Sequence, residues 1–429
     1  MCLSRSEKFA FRLYNLAWGM IIPFLRYNRR LAEGFEQRTF EKSPPEGVDI
    51  WIQAASVGES FLARGLIEGL RAIRPLHVLL TSNTDQGMHI LQQAIDELQS
   101  NGDGLRVQAA FFPFDKPDIM RAAVEHLRPR VMVLLETEIW PGLLLGLKAC
   151  GSRIMIINGR LTPKSFKRYR LWPSIWRSLS PDRVLATSAA DAGRYKALFG
   201  SNGIATMPNI KFDRIAVRAP ADPAPSHQLE HLLPPEATFV ILGSIRRQEE
   251  PWIVKIIKAI LSSRKNAVIG LFPRHQHRIE HWQHILGRAQ FRWILRSSIQ
   301  SSVPQGCVVL WDTFGELAAA YRFSTAAFVG GSLAPLGGQN FLEALVCGAI
   351  PVIGPSWENF AWVGPELPAS GLLKVAQDWK QVADQLIKDI DHPAPHREVL
   401  ERVDQYLKGR RGGTEIACRH IMEMLEARG

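Results

Sequence analysis

The sequence predicts an α/β protein of two domains, each built on parallel βαβ units. Three observations carry this. Short apolar runs alternate with longer helical stretches from residue 48 onward. The alternation breaks at a proline-rich segment and then restarts. A length of 429 residues also favours two ordinary cores over one.

In chain order, Val48–Ala55 reads as a buried strand and is followed by a helix from about Gly58 to Ile73. A strand at His77–Thr81, a helix near Gly87–Gln99 and a strand at Val107–Phe111 come next. A helix at Pro117–His126 leads to a strand at Arg130–Leu135, with further strands at Arg153–Ile157 and Arg183–Thr187. Prolines then crowd at positions 220, 223, 225, 234 and 235, where neither a packed helix nor a central strand can form. Beyond them, apolar runs return at Phe239–Gly243, Ala267–Phe272, Val308–Trp311, Ala326–Val329 and Ile350–Ile353. The expected organisation is an N-terminal segment 1–40, a first domain 41–217, a linker 218–236 and a second domain 237–429, whose last helix can pack back on the first. Two such domains would face each other across a cleft at the strand C-termini, where open α/β sheets bind ligands.

Composition narrows the chemistry. Hydrophobic content of 46% and charged content of 22% are those of a globular chain. Five cysteines without a C-x-x-C pair argue against a disulfide framework and a zinc site. A net charge of +11 favours an anionic partner. No zinc-finger spacing, basic zipper or RNP-like motif is present, so nucleic acid is not the expected partner. Basic residues flank the apolar run Phe9–Leu25, which is 17 residues long and interrupted by Arg12, Asn15 and Pro23. That is short for a spanning helix, and an interior arginine is costly in hydrocarbon. The run reads as an uncleaved anchor lying in the interface or shallowly inserted, with Tyr14 and Trp18 suited to the headgroup zone; the alternative is an ordinary amphipathic core helix.

Several motifs can carry chemistry. In Ser56-Val57-Gly58-Glu59, Gly58 permits a tight strand-to-helix turn and places Glu59 in the first helical turn, where the macrodipole favours its ionised form. There it can accept a proton from an incoming hydroxyl, although complementing the dipole is the commoner role. Glu136-Thr137-Glu138 follows the strand directly. If a turn intervenes, one carboxylate faces the sheet edge and the other does not; Glu136 is then the better candidate. Lys211, beside Asp213, can meet developing negative charge or form a surface salt bridge. Arg274 and His275, at a strand end, suit a phosphate clamp or are merely surface residues. Gly315-Glu316-Leu317 offers a helix N-terminus near the same edge. The stretch Phe328–Glu343, with Gly330, Gly331, Gly337 and Gly338, reads as a strand, a loop and a helix start. Its glycines would let backbone N–H groups approach a ligand, with Gly331 and Ser332 in a possible donor loop, and the helix N-terminus would supply a phosphate site. Asn340 would cap the helix and Glu343 complete a capping box, or accept from ribose hydroxyls. The segment 163–177 interleaves basic and aromatic residues and reads most economically as a lipid-facing surface.

Taken together, these segments resemble the bacterial Kdo (3-deoxy-D-manno-octulosonic acid) transferases of lipopolysaccharide synthesis. The matching stretches are Ser56–Glu59, Glu136–Pro141, Asn158–Leu161, Ile210–Asp213, Pro273–His275, Phe328–Ser332 and Gly337–Glu343, in family order. The resemblance implies a two-domain GT-B fold at the cytoplasmic side of the inner membrane, CMP-Kdo as donor and a lipid A precursor as acceptor. It also implies a single inverting displacement. The basic charge and the N-terminal segment suit anionic inner-membrane lipids as partners, and no metal-binding cluster is evident in the sequence, so neither metal nor cofactor is expected. By analogy Glu59 is the general base, and Glu136 and Lys211 stabilise the transition state. Arg274, His275, Gly315, Glu316, Leu317, Asn340 and Glu343 would form the CMP site, with Ser244, Gly331 and Ser332 as a further donor loop. The chain departs from the family pattern at Ser244–Glu250, where Arg246 and Arg247 stand in place of polar residues, and at Gln339 and Phe341. A paralogous transferase with a changed donor, a sugar-nucleotide epimerase or hydrolase, and a non-catalytic lipid- or nucleotide-binding protein are the alternative expectations.

Overall fold

The computed structural model describes residues 4–71, 74–99, 104–216, 232–233 and 238–427. The proline-rich linker 218–236 lies outside them except for Leu232 and Leu233. The chain forms two units: one runs through Arg214 and takes up the chain again from Arg410, and the other spans Ile215–Gly409.

The first unit holds a seven-stranded parallel sheet of β1 (Ile50–Ala54), β2 (Leu76–Ser82), β3 (Leu105–Phe111), β4 (Val131–Leu135), β5 (Arg153–Gly159), β6 (Arg183–Ala186) and β7 (Ile204–Thr206). Its spatial order is β3-β2-β1-β4-β5-β6-β7, so the order reverses between β1 and β4. Both of these strands are buried along their whole length, as expected of central parallel strands covered on two faces. On one face Leu62 and Leu66 of helix Val57–Gly69 pack with Ala417 and Ile421 of the C-terminal helix Gly413–Glu426. The Asp213 carboxylate accepts from the N–H groups of Gly412 (2.7 Å) and Thr414 (2.6 Å), fastening the start of that helix. Asp213 thus holds the fold together beside Lys211.

The N-terminal helix Arg5–Leu25 opens with a capping box between Ser4 and Glu7. Phe11 is buried in the core, Tyr14 donates to Asp115 (2.9 Å) and Asn15 to Asp118 (2.7 Å). The outward side remains apolar: Phe9, Leu13, Leu16, Met20 and Phe24 recur every three or four residues, with Met20 68% and Phe24 74% exposed. Among the described residues no helix is long and apolar enough to cross a membrane.

The second unit holds another seven-stranded parallel sheet: β8 (Phe239–Ile245), β9 (Val268–Pro273), β10 (Trp293–Leu295), β11 (Val308–Leu310), β12 (Ala326–Val329), β13 (Pro351–Ile353) and β14 (Lys374–Val375). The order is β10-β11-β9-β8-β12-β13-β14, reversing between β8 and β12. One expectation fails here. The helix after the glycine-rich loop is only Leu342–Leu345, Phe341 stands at its N-cap, and no side chain caps it, so Asn340 and Glu343 form no capping box. Phe341 is fully buried against Phe360, with ring centroids 4.9 Å apart, and this packing fixes the helix start in place of a polar cap.

Candidate active site

In the first unit the candidate residues collect at the reversal point, where open α/β sheets leave a crevice beyond the strand ends. Glu59 follows β1. Ser56 caps its helix, accepting from the Glu59 N–H at 3.3 Å, and the Glu59 carboxylate turns back to accept from the Ala55 N–H at 2.6 Å. Burial, with Glu138 and then Glu136 nearby, pushes the Glu59 carboxyl up to about 8. The dipole of a helix start, which favours ionisation, is overridden here by desolvation and like charge.

Glu136 follows β4 in the left-handed region (φ 54°), a conformation that non-glycine residues adopt rarely. Hydrogen bonds hold it there: its N–H donates to Ile157 (3.0 Å) and its carbonyl accepts from the Tyr195 hydroxyl (3.0 Å). The carboxylate receives the Lys211 ammonium at 2.6 Å, with both side chains largely buried. Lys211 sits on the turn Ile210–Phe212, whose position depends on two asparagines. Asn209 accepts from the Lys211 N–H (3.0 Å), and buried Asn158, also at positive φ, accepts from the Ile210 N–H (3.0 Å). A turn does separate Glu136 from Glu138, yet both remain close enough to Glu59 to raise its proton affinity. Glu138, given no role by its spacing, accepts from the Trp140 indole (2.6 Å), and burial lifts its carboxyl to about 7. Glu138→Gln is therefore expected to move the acidic limb of a pH–rate profile to lower pH, because it removes the larger of the two like charges acting on Glu59. An unmoved limb in kcat/KM against pH would separate the two carboxylates functionally.

In the second unit the reversal point is organised by a residue the sequence did not single out. Glu249, fully buried, accepts from the N–H groups of Gly331 (2.5 Å), Ser332 (3.0 Å), Leu333 (2.9 Å) and Arg246 (3.2 Å). Successive N–H groups of this kind make an anion-binding concavity. Here a side chain fills it, so the expectation that the Gly331 and Ser332 amides are open to a ligand is corrected. Gly330 is required by the same closeness, since a Cβ there would lie 2.8 Å from the Ser244 carbonyl and 3.0 Å from the Glu249 carboxylate. Ser244 is itself at positive φ (54°), and the Ser332 hydroxyl bridges the Val329 carbonyl (2.7 Å) and the Gly354 N–H (2.8 Å). These residues shape the loop from within.

Arg274 and His275 lie exposed just past β9, and burial together with the charge of Arg246 holds the His275 imidazole below its ordinary value. Gly315 is at positive φ before the helix Leu317–Tyr321. The Glu316 carboxylate takes up Arg296 (2.9 Å), the Trp311 indole (2.7 Å) and the Thr313 hydroxyl (2.8 Å). Asn340 is exposed and Glu343 half-buried on the loop and helix after β12.

Comparison with known proteins fixes the class. A putative UDP-N-acetylglucosamine 2-epimerase from Listeria monocytogenes superposes with a TM-score of 0.52, covering 90% of this chain and 96% of that one at 13% identity. That likeness shows the fold, a two-domain GT-B arrangement of α/β sheets, and the fold is common to epimerases and transferases. Sequence relatives decide between them. A 3-deoxy-D-manno-octulosonic acid transferase of Bordetella pertussis is 28% identical over 390 residues, 89% of this chain and 88% of the relative. The transferase of that name from Haemophilus influenzae is 29% identical, covering 88% of this chain and 86% of its own. The protein is a glycosyltransferase. Residues 26–214 match the 3-deoxy-D-manno-octulosonic-acid transferase (kdotransferase) family, and the chain belongs to that family.

Proposed function

We propose that this protein transfers a Kdo residue from CMP-Kdo to a hydroxyl of a lipid A precursor, with Glu59 as general base. The observation that carries the reading is a buried carboxylate at a strand end with its proton affinity raised to about 8, beside a second carboxylate paired to a lysine. A base with an affinity near the working pH both accepts and releases a proton readily. In the reaction the acceptor oxygen bonds to the anomeric carbon of Kdo as the bond from that carbon to the CMP phosphate breaks. CMP leaves with the electron pair, and the hydroxyl proton passes to Glu59. Lys211, held by Glu136, supplies positive charge at a fixed point where charge develops. Arg274 and His275 would meet the departing phosphate, and Gly315, Glu316, Leu317, Asn340 and Glu343 would border the nucleotide. Ser244, Gly331 and Ser332 would contribute through the shape of the loop that Glu249 holds.

A lipid-borne acceptor is supported by the apolar stripe of the N-terminal helix, which is exposed among the described residues. Arg26, Arg29 and Arg30 follow directly, so the helix suits the anionic cytoplasmic surface of the inner membrane. Incubation of the purified protein with a CMP-Kdo-generating system and a lipid A precursor should yield a product heavier by one or more Kdo units. Recovery of both substrates unchanged would reject the reaction.

A further inference from the structure

The N-terminal helix does not close completely on the helix Pro173–Ser178. Between them lies a groove of about 450 Å3, lined by Ala10, Leu13 and Ala17 on one side, Ile175 and Trp176 on the other, and Pro141. We propose that this groove holds one acyl chain of the lipid acceptor, an assignment that rests on the acceptor reading given above.

Volume, charge and position argue for it. A cavity of about 150 Å3 admits a benzene molecule, so a threefold larger groove accommodates a hydrocarbon chain of roughly a dozen carbons or more. The surrounding chain carries the anionic half of the recognition. Residues 163–177 include Lys164, Lys167, Arg168, Arg170 and Arg177 and no acidic residue, and all five are exposed. An acyl chain in the groove with phosphates on this rim is the signature of an acidic glycolipid, which a neutral apolar ligand would not need. Trp176 is 6% exposed and its indole N–H has no partner, a polar cost that a chain entering with its ester or amide carbonyl can offset.

Position separates the acceptor from bulk phospholipid. Pro141 directly follows Trp140, whose indole N–H donates to Glu138, and Glu138 is the stronger of the two charges acting on Glu59. A chain seated here is tethered beside the proposed base. The groove-lining positions 10, 13, 14 and 17 also form their own helical strip. Of the outward stripe Leu13 alone also lines the groove, and positions 9, 16, 20 and 24 do not, so lipid-surface contact and chain binding can be perturbed independently.

Ala17→Trp in the full chain fills the groove from a half-buried helix position. The expected result is at least a tenfold fall in kcat/KM toward an acylated acceptor, chiefly through KM. Toward the O- and N-deacylated disaccharide, kcat/KM is expected to stay within twofold, as is cosedimentation with anionic vesicles. The parent should also bind dansyl-undecanoic acid, with displacement by the acylated acceptor, and the variant should not. Ala10→Phe should repeat the pattern, which excludes a defect peculiar to one substitution. Equal loss on both acceptors, no loss on either, or loss of vesicle binding would overturn the groove assignment. Transfer to the acylated acceptor without probe binding sinks the groove alone. Probe binding by a parent that transfers to no acylated acceptor sinks the acceptor reading and, with it, the assignment of the groove to that acceptor.

Discussion

Replacing Glu59 with glutamine is expected to lower kcat by about a hundred- to ten-thousand-fold, the range over which a positioned general base contributes. CMP affinity, measured by calorimetry, should hardly change, because the nucleotide is assigned to the second unit. The same substitution should make the protein more stable in alkali. The Glu59 carboxyl titrates at about 8 in the folded chain, against an ordinary value of 4.5. Below pH 4.5 it is protonated in folded and unfolded chains alike. As pH rises from there, the unfolded chain ionises freely while the folded one must keep the proton or bury a charge, so stability falls until about pH 8 and then levels. A difference of this size corresponds to on the order of 3–5 kcal/mol, which an uncharged amide escapes. The melting temperature of Glu59→Gln should therefore exceed that of the parent at pH 8.5 and converge with it near pH 4.5. Residual kcat above a tenth of the parent's would remove Glu59 from the role of base. Equal melting temperatures at pH 8.5 would remove the buried-charge account.

Glu249→Ala is expected to be the most destabilising single change in the second unit. Four backbone N–H groups lose their acceptor at once, in a place where Glu249 itself is fully buried. An unsatisfied buried donor costs about 1–3 kcal/mol, so even with water entering the gap a loss of at least about 3 kcal/mol follows. Glutamine should fall between alanine and the parent, since one of its two terminal atoms still accepts while the other points a donor at donors. Urea unfolding followed by tryptophan fluorescence measures this. An alanine variant within about 1 kcal/mol of the parent would mean that the loop is held by something else.

The parts that sequence reading found and missed differ in physical kind. The strands it named are those with an apolar run, which central parallel strands need because both their faces are covered. The three it passed over, β7, β10 and β14, are all at sheet edges, are only two or three residues long, and are at most half-buried. A strand with little to bury leaves little pattern to read. Glu59, Glu136 and Lys211 stood out because each follows a recognisable strand or turn. Glu249 did not, because a Glu-Glu pair before a helix reads as an ordinary helix start, and its four partners come from its own turn and from a loop more than eighty residues away. Glu138 was visible as a residue, but its altered titration depends on burial that no spacing reveals. The glycine-rich loop taught the converse: its glycines do permit close approach of an anion, and the anion is part of the chain.

The N-terminal helix has a practical consequence. Its Tyr14 hydroxyl is one of three donors to Asp115, and the other two are the N–H groups of Gly142 and Leu143, at the start of the helix that follows Glu136–Trp140. A helix wired in this way is scaffold on one side and solvent-averse on the other. Trimming it to obtain a detergent-free preparation would take Phe11 out of the core, leave Asp115 with one donor fewer and loosen the segment that carries Glu136 and Glu138. Exchanging only the outward residues Phe9, Leu16, Met20 and Phe24 for polar ones leaves those attachments whole, and is the more promising route to a crystallisable enzyme.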